Sequence, residues 1–401
     1  MIRVLIVDDS AFMRRALERM LEQDPGIEVI GTARNGVEAV VKVKAQRPDV
    51  VTMDIEMPQM DGISALKKIM QECPTPVLMV SSLTKEGAPA TIEALSAGAV
   101  DFIAKQSSFV SLEIQNIQDD LIGKIKAVAP SKQRASLLQR LGRPSSTPAP
   151  STSRPWASGR SHEPRTAPAT PRTPPRSSLR SLLNDVDQPD TPSTSGRRQK
   201  RVLNPQLIAI GVSTGGPFAL QQVIPNLPAD LGVPVAIVQH MPPHFTRSLA
   251  DRLNELSPLH VMEAEHGMEV TAGKVYVAPG GHHMRFSMRG PMTTIVIEDE
   301  PKTLHRPSVD VMFKSAKQAY GRKVLGVVMT GMGKDGLEGC QVLKAAGAMI
   351  IAQDEATSVV YGMPRMVAEA NLADAIVPLE NLAERIARAV RPATHRSTPT
   401  L

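Results

Sequence analysis

The stretch from Leu207 to Ala219 sets a strand, a glycine-rich turn and a helix in immediate succession. The apolar run Leu207–Ile210 leads into Gly-Val-Ser-Thr-Gly-Gly, and Pro217 stands where the first turn of a helix tolerates proline. This order is typical of α/β domains and puts Ser213 between the carboxyl end of a strand and the amino end of a helix. Free backbone N–H groups and the helix dipole favour negative charge there. Ser213 is therefore a candidate nucleophile.

Short apolar strands alternate with amphipathic helices in two separate parts of the chain. With 401 residues, the chain is long enough for two hydrophobic cores. Strand–helix alternation with short links is typical of parallel sheets covered by helices. We therefore predict two doubly wound, parallel-sheet α/β domains. One is flavodoxin-like (residues 1–128) and one Rossmann-like (residues 202–393), and a disordered linker (residues 129–201) joins them.

The predicted elements follow the apolar runs of each part. In the first part, strands are predicted at Val4–Val7, Val50–Met53, Val77–Val80 and Val100–Ala104. The first helix there is expected to be amphipathic, with an apolar stripe of Phe12, Ala16 and Met20. In the second part, strands are predicted at Leu207–Ile210, Val233–Val238, Val275–Ala278, Thr294–Ile297, Val324–Met329 and Met349–Ala352. Helices are predicted there at Arg247–Leu256, Val309–Tyr320, Leu337–Ala346, Pro364–Glu369 and Leu382–Val390.

The segment between the two parts carries the net charge of the chain. Residues 143–200 contain 10 Lys or Arg and 4 Asp or Glu, so their charge of +6 equals that of the whole chain. They also hold 11 of the 34 prolines. Such a composition cannot bury enough apolar surface to fold, so Trp156 and the apolar cluster Leu179–Leu183 are expected to lie in an extended linker. Because the folded parts have no net charge, we expect no nucleic-acid partner.

Cysteine usage and hydropathy indicate the compartment. Cys73 and Cys340 are far apart and outside any Cys-x-x-Cys pattern, so neither a disulfide nor a thiolate metal site is expected. The sequence contains no apolar run of about 18 residues. Its first residues lack the basic start of a signal peptide. These features predict a cytoplasmic protein with no direct membrane insertion.

Polar residues follow successive strands of the first part. Asp8 and Asp9 follow the predicted strand Val4–Val7, and Asp54 follows Val50–Met53. Ser81 follows Val77–Val80, and Lys105 follows Val100–Ala104. Sites in doubly wound sheets form at these carboxyl ends, where converging carboxylates require a hard cation such as Mg²⁺. One carboxylate can then attack a phosphoryl group, whose oxygens Ser81 and Lys105 could bind.

These residues stand in motifs that resemble the receiver domain of response regulators. The motifs are Val-Asp-Asp-Ser (7–10), Asp-Ile-Glu-Met-Pro-Gln-Met-Asp-Gly (54–62), Met-Val-Ser-Ser (79–82) and Lys105. The resemblance implies that Asp54 accepts a phosphoryl group from a histidine kinase. Mg²⁺ would be held by Asp9, Asp54 and the backbone carbonyl of Glu56, with Asp8 assisting without binding the ion directly. Ser81 would be the hydroxyl switch, and Lys105 would sense the phosphoryl group.

Three polar residues of the second part also follow predicted strands. They are Ser213, His240 and Asp335. A serine needs a base to become nucleophilic, and a carboxylate orients the imidazole and supports its charged form. The three together predict acyl-transfer chemistry. Taken singly, Ser213 could be a helix cap, His240 a partly buried histidine and Asp335 a turn residue.

Other motifs in this part fit their usual chemistry poorly. Residues 211–215 match Gly-x-Ser-x-Gly, but α/β-hydrolases carry Ser, acid and His in that order. Residues 331–334 lack the spacing and the hydroxyl residue of a phosphate loop. Two prolines stand between His240 and His244, so these do not form a helical zinc pair. The adjacent His282 and His283 cannot easily face one ion.

A glycine-rich loop before Asp335 can serve the same reaction. Ester hydrolysis passes through an oxyanion that needs hydrogen-bond donors about 3 Å away. The backbone N–H of Met332 is one candidate donor. Thr214, or the backbone beside it, is the other.

Six motifs of the second part together resemble the chemotaxis-type protein-glutamate methylesterases. They are Ile-Gly-Val-Ser-Thr-Gly-Gly (210–216), Gln-His-Met-Pro-Pro (239–243), Ala-Pro-Gly (278–280), His-Arg-Pro-Ser-Val-Asp (305–310), Thr-Gly-Met-Gly-Lys-Asp-Gly (330–336) and Tyr-Gly-Met-Pro (361–364). The resemblance implies a triad of Ser213, His240 and Asp335 that needs no cofactor. Its implied reactions are hydrolysis of glutamyl methyl esters on chemoreceptors, with release of methanol, and deamidation of certain receptor glutamines. It also implies that the receiver covers this site until Asp54 is phosphorylated.

The sequence departs from the two family patterns at a few positions. Gln106 stands where receivers usually carry proline, so switching is expected to be tuned differently. Lys334 replaces a frequent asparagine, which we interpret as a surface change. The length of the 129–201 linker lowers the effective concentration of the receiver at the cleft, so we expect leakier inhibition.

Two other functions stay open on the sequence alone. A response regulator whose second part only binds a partner would not depend on Ser213. An esterase of small molecules would need no receiver. The absence of a helix-turn-helix pattern weighs against a DNA-binding module.

Overall fold

The computed structural model describes residues 1–82, 87–105, 111–129 and 204–390. They form an N-terminal module (residues 1–129) and a C-terminal module (residues 204–390). Gln106, Trp156 and Leu179–Leu183 lie outside the described residues. None of the described helices is long and apolar enough to cross a membrane.

The N-terminal module is a parallel sheet with a helix between each pair of consecutive strands. Its strands are β1 (Ile2–Val7), β2 (Ile27–Ala33), β3 (Val50–Asp54), β4 (Val77–Ser82) and β5 (Asp101–Lys105). Its helices are α1 (Ala11–Leu21), α2 (Gly36–Gln46), α3 (Gly62–Glu72), α4 (Gly87–Ser96) and α5 (Ser111–Val128). The strand order β2-β1-β3-β4-β5 is that of flavodoxin-like folds, which confirms the prediction for this module.

Helix α1 buries a different stripe from the predicted one. Leu17 and Leu21 are buried, whereas Phe12 is 62% exposed. The stripe that faces the core is displaced by one residue along the helix and begins at the half-buried Met13. Both stripes repeat every four residues, so spacing alone could not distinguish them. The prediction of a core stripe through Phe12 was wrong.

The C-terminal module is built on a seven-stranded parallel sheet. Its strands are β6 (Leu207–Val212), β7 (Val235–Gln239), β8 (His260–Glu263), β9 (Lys274–Val277), β12 (Val324–Val328), β13 (Met349–Gln353) and β14 (Ala375–Val377). Its helices are α6 (Gly216–Val223), α7 (Phe245–Leu256), α8 (Val309–Tyr320), α9 (Leu337–Ala345), α10 (Met363–Glu369) and α11 (Leu379–Val390). The order β14-β13-β12-β6-β7-β9-β8 puts β6 between β12 and β7. The carboxyl ends of these three central strands therefore meet at one edge.

A separate hairpin accounts for one predicted strand. Thr294–Ile297 falls within β11 (Met292–Glu298), which pairs antiparallel with β10 (His283–Arg289) outside the seven-stranded sheet. The parallel-sheet prediction therefore does not extend to this strand. The hairpin buries Met284, Phe286 and Ile295 in a core shared with α8.

The two modules contact each other through α4 and β5 on one side and α6 and α7 on the other. The ring of Phe102 stacks on that of Phe245, with centroids 4.6 Å apart. Ser96 Oγ donates to Gln221 Oε1 at 2.8 Å. Buried apolar residues of both modules form one continuous cluster. The end of α4 and the beginning of β5 are thereby held close to α6 and α7.

The loop after Asp54 depends on a glycine, which gives a test of this fold. A Cβ added at Gly62 would lie 1.9 Å from the carbonyl oxygen of Asp54, so Gly62→Ala must displace backbone. Overpacking of this kind costs about 1–3 kcal/mol or more. We expect a lower midpoint of urea unfolding for the N-terminal module. Gly31→Ala is the control, because a Cβ there makes only ordinary contacts, the nearest at 3.4 Å. Equal midpoints for the two variants would contradict the packing.

Candidate active site

Ser213 lies in a turn that is fixed by backbone hydrogen bonds on both sides. Its N–H donates to the carbonyl of Thr330 at 3.0 Å, and its carbonyl accepts from Gly216 at 2.7 Å. Gly215 caps α6 in the left-handed region, with φ 78°, and Pro217 lies in the first helical turn as predicted. The serine is half-buried. The turn therefore presents Ser213 at the amino end of a helix.

The side chain of Gln239 connects Ser213 to His240. This buried amide donates to the carbonyls of both residues, each at 3.0 Å. The His240 N–H donates to the carbonyl of Val212 at 3.1 Å. Neighbouring strands β6 and β7 thus bring the candidate nucleophile and the candidate base to one edge of the sheet.

His240 and Asp335 form a buried hydrogen-bonded pair. Nε2 of His240 lies 2.7 Å from Oδ2 of Asp335, and the side chains are only 8% and 12% exposed. Burial acts to raise the pKa of Asp335, but the bond from His240 and those from the backbone of Asp310 and Val309 hold it well below its usual range. The carboxylate is therefore ionised, and we assign the imidazole proton to Nε2. Nδ1 is buried, makes no hydrogen bond within the described part of the chain, and is left as the basic nitrogen.

The start of α8 supplies most of the other donors to Asp335. The N–H groups of Val309 and Asp310 donate at 2.7 and 3.0 Å, and Ser308 Oγ donates at 3.0 Å. The Gly336 N–H adds a bond at 3.1 Å. The sequence motif His-Arg-Pro-Ser-Val-Asp contained these residues, but nothing in its spacing assigned them to the carboxylate. Ser308 before an apolar helical pattern was the one available indication of a helix start there.

His305 stacks on the catalytic-histidine candidate and was not assigned a role from the sequence. The two imidazole rings are 4.3 Å apart at 22°. Burial, with the neighbouring His240, lowers the pKa of His305 to about 4. His305 is therefore uncharged at neutral pH and covers one face of His240 without adding a competing charge.

The loop that carries Met332 is pinned beside Ser213. Gly331 donates to the carbonyl of Val360 at 3.0 Å and accepts from Gly362 and Met363 at 3.1 and 2.9 Å. A Cβ at Gly331 would lie 2.8 Å from the Cβ of Ser213, so only glycine permits this approach. Met332, predicted as an oxyanion donor, follows directly in this loop and is half-buried.

Thr214 is bonded to the N-terminal module. Its hydroxyl donates to Oδ2 of Asp101 at 2.7 Å, and the next N–H, that of Gly215, donates to the carbonyl of Val100 at 3.1 Å. Thr214 and Asp101 are buried, with 3% and 8% exposure. In this arrangement the Thr214 hydroxyl is occupied, and Asp101 is a partner that sequence reasoning missed.

Lys124 of α5 balances the charge of Asp101. Its Nζ lies 3.4 Å from Oδ2 of Asp101 and 3.4 Å from Oδ2 of Asp120, and it donates to the carbonyl of Phe102 at 2.7 Å. Burial opposes the charged lysine, but Asp101 and Asp120 outweigh it and raise its pKa. Lys124 therefore places a positive charge beside Asp101, the acceptor of the Thr214 hydroxyl.

A second polar cluster lies at the carboxyl edge of the N-terminal sheet. Ligand oxygens of Asp8, Asp9 and Asp54 lie within 4.8 Å of one another. Lys105 Nζ lies 2.9 Å from Asp8 and 2.8 Å from Asp54. The structure brings these four residues together as the sequence predicted. Glu56 has an exposed side chain in the loop after β3, in keeping with a role for its backbone carbonyl alone.

This cluster has the chemistry of a magnesium site. Burial raises the pKa of Asp54, and Lys105 opposes that rise. Three carboxylates around one lysine leave excess negative charge, which a small divalent cation with oxygen ligands would offset. The residues present therefore fit Mg²⁺.

The hydroxyl of Ser81 contacts helix α4. Its buried Oγ lies 2.7 Å from Oγ1 of Thr91 on α4, and Thr91 also donates to the carbonyl of Gly87 at 3.0 Å. The predicted hydroxyl switch is thus connected to a helix that contacts the C-terminal module.

Comparison with known proteins assigns both modules. The family model of the response regulator receiver domain matches residues 4–115, and that of CheB methylesterase matches residues 208–386. A protein-glutamate methylesterase/protein-glutamine glutaminase of Oleidesulfovibrio alaskensis is 48% identical over 97% of this chain and 100% of its own length. The chain belongs to the protein-glutamate methylesterase family.

A second relative of the methylesterase family agrees with this assignment. The Lawsonia intracellularis protein of the same description is 44% identical and covers 97% of this chain and 99% of itself. The crystal structure of the Thermotoga maritima CheB methylesterase catalytic domain is 41% identical, covers 46% of this chain and 98% of that domain, and has a TM-score of 0.45.

His282 and His283, adjacent in the sequence, each have a partner within the C-terminal module. His283 is buried; its Nδ1 accepts from the Ser308 N–H at 3.2 Å, and its Nε2 lies 2.9 Å from the carbonyl of Pro301. His282 pairs with Asp299 at 2.5 Å. Within the described residues, the acidic cluster of the receiver is the one group found with metal-ligand geometry. Lys334, which replaces the usual asparagine, is exposed.

The stacked histidine gives a direct test of this site. We expect the ring resonances of His305 in NMR spectra to titrate with a midpoint of about 4, because burial disfavours its charged form. Assignment by His305→Gln identifies the resonances. A midpoint near the ordinary histidine value of 6.5 would contradict the buried, stacked geometry.

Proposed function

We propose that this protein hydrolyses glutamyl methyl esters on chemoreceptors and deamidates certain receptor glutamines, under control of phosphorylation at Asp54. The observation that carries the proposal is the buried His240–Asp335 pair, whose free imidazole nitrogen lies at the sheet edge that presents Ser213. Membership in the methylesterase family supports the choice of substrate.

The first half-reaction forms an acyl-enzyme. Ser213 Oγ attacks the ester carbonyl while Nδ1 of His240 accepts the hydroxyl proton, and Asp335 stabilises the imidazolium. The carbonyl oxygen becomes an oxyanion, for which the N–H of Met332 and the backbone beside Thr214 are the proposed donors. The C–O bond to the methoxy group then breaks, and this group leaves as methanol with the proton from His240.

The second half-reaction restores the enzyme. Water attacks the acyl carbon, gives a proton to Nδ1 of His240, and the bond to Ser213 Oγ breaks as the serine regains a proton. The receptor side chain is released as glutamate. With a glutamine substrate the same steps release ammonia instead of methanol. None of these steps uses a cofactor.

Phosphorylation takes place at the carboxyl edge of the N-terminal sheet. Mg²⁺ would be held by Asp9, Asp54 and the carbonyl of Glu56, with Asp8 nearby, and it would offset the charge that builds up on the phosphoryl oxygens. A carboxylate oxygen of Asp54 attacks the phosphorus of a phosphohistidine on the kinase, and the bond to that histidine breaks. Lys105 then pairs with the phosphoryl group instead of the bare carboxylates.

The receiver restrains the esterase through the nucleophile turn. Asp101 and Val100 accept from Thr214 and Gly215, immediately after Ser213. Residues of α5, including Lys126 and Ala127, form one wall of a cleft of about 670 Å³ whose other wall includes Met332 and Tyr361. A substrate helix that approaches the oxyanion loop must therefore displace the receiver or wait for its release.

The Ser81–Thr91 bond offers a route from phosphorylation to release. A phosphoryl group on Asp54 presents new acceptors to Ser81, and the hydroxyl that turns toward them leaves Thr91. Helix α4, which carries Thr91 and contacts α6 and α7, then loses an anchor. The equilibrium between covered and open sites shifts accordingly.

The reaction partners imply where the protein acts. We infer a cytoplasmic location, because the phosphodonor is a chemosensory histidine kinase and the substrates are the cytoplasmic helices of receptors. The two cysteines are free and buried, which fits a reducing compartment.

The chemistry is tested by methanol release from methylated receptor. Ser213→Ala should reduce the rate by about 10³-fold or more, since removal of a triad nucleophile has effects of at least this size. Ser248→Ala, on α7 and outside the site, is the control. Unchanged release from Ser213→Ala would instead favour a second module that binds partners. Equal activity on small generic esters and on receptor would favour a small-molecule esterase.

The restraint is tested by the unphosphorylated rate of Asp101→Ala. We expect a rise of about tenfold or more, because a hydrogen bond to a charged group contributes about 1.5–3 kcal/mol. Asp120→Ala is the matched control, since it also removes a partner of Lys124 but leaves the Thr214 bond intact. A basal rate for Asp101→Ala no higher than that of Asp120→Ala would argue against this contact as the restraint.

A further inference from the structure

Helix α9, which carries the chain onward from Asp335, has no side-chain cap of its own. Gly336 occupies the N-cap position with φ 95° and has no side chain to offer. The first N–H groups of a helix lack acceptors within the helix and need partners from elsewhere. The Gly339 N–H, in the first turn, donates to Oδ1 of Asp310 at 2.6 Å. Asp310 belongs to the first turn of α8, so it caps α9 from a neighbouring helix.

The two helices are in close contact at this point. A Cβ at Gly339 would lie 2.5 Å from the Cβ of Phe313 and 3.2 Å from Oδ1 of Asp310. One turn further along α8, Lys314 forms an exposed salt bridge at 2.6 Å with Glu338 of α9. The Asp310 contact is therefore enclosed between packed helices, whereas the Lys314–Glu338 pair is not.

Asp310 is linked to Asp335 in two ways. Its backbone N–H donates to the Asp335 carboxylate at 3.0 Å, and its side chain holds the helix that begins next to Asp335. A shift of α9 relative to α8 would thus move Asp335 away from the donors that orient it. The Asp310 carboxylate makes no contact with Ser213 among the described hydrogen bonds, so its influence must pass through Asp335.

We propose that Asp310 is a positioning residue for the triad: its carboxylate caps α9 and thereby keeps Asp335 in line with His240. Only the kinetic test of this role rests on the proposed function. It concerns a side chain that the sequence motif contained but to which no role was attached.

The charge of Asp310 gives the proposal a second consequence. Burial, assisted by the charge of Asp335, raises the pKa of Asp310 to about 6, against the effect of the Gly339 bond. Groups that face this region from the packed elements are Asp335, Lys314, Glu338, Cys340 and His283. A negative Asp310 near the His240–Asp335 pair favours a positive imidazole. Loss of this charge should therefore move the acid limb of the pH–rate profile to lower pH.

The experiment compares Asp310→Ala and Asp310→Asn in the full-length protein. We expect Asp310→Ala to lower kcat for methanol release by about 10- to 100-fold with KM changed less than about twofold, since small displacements of catalytic groups have effects of this size. Asp310→Asn retains an oxygen acceptor for Gly339, so it should keep at least about a third of kcat while its acid limb moves to lower pH. Glu338→Ala removes the exposed cross-helix pair and should leave kcat unchanged.

A readout independent of turnover is the downfield proton resonance of the His240–Asp335 hydrogen bond. It should persist in Asp310→Asn and weaken or disappear in Asp310→Ala. Unchanged kcat and resonance in Asp310→Ala would overturn the proposal. If Asp310→Ala does not fold, Asp310→Asn decides: an acid limb at the wild-type pH would contradict it. If the wild-type protein releases no methanol, the proposed function fails, and the resonance still tests Asp310.

Discussion

The central constraint in this protein is the need to keep the carboxylate of Asp335 ionised while it is buried. An unpaired buried charge is strongly unfavourable, and the usual outcome is protonation. Here the backbone at the start of α8, the hydroxyl of Ser308 and Nε2 of His240 all donate to it. The capping of α9 by Asp310 maintains the geometry on the other side. In this arrangement Nδ1 of His240 is left without a hydrogen-bond partner among the described residues.

The turn after β6 combines two tasks within three residues. It holds Ser213, the proposed nucleophile, and the two residues that follow Ser213 bond to the receiver. A receiver that bonds to this turn can control catalysis without a large movement. Breaking these few hydrogen bonds would free the backbone beside Thr214 and open the path of the substrate to Ser213. The pairing of Lys124 with Asp101 makes this contact polar, unlike the apolar stacking of Phe102 on Phe245.

The strand ends were predictable from sequence because parallel sheets bring the carboxyl ends of neighbouring strands together. That rule located Ser213 and His240, and the acidic cluster with Lys105, from local pattern alone. Two other predictions failed. The spacing in α1 allows two stripes with the same period, and β11 belongs to an antiparallel hairpin outside the parallel sheet. Contacts made through tertiary packing, such as those of Asp101 and His305, leave no periodic trace in the sequence. They could not be predicted without the fold.

The most direct test of the account is amide hydrogen exchange at residues 213–216, with and without a small phosphodonor. The Gly215 N–H donates across the modules to Val100, so its protection reports the contact itself. The account predicts that phosphorylation increases exchange at Gly215 and in α4, and that Asp54→Ala abolishes the increase. Exchange that stays unchanged at Gly215 while methanol release rises would contradict the claim that the receiver acts through the nucleophile turn.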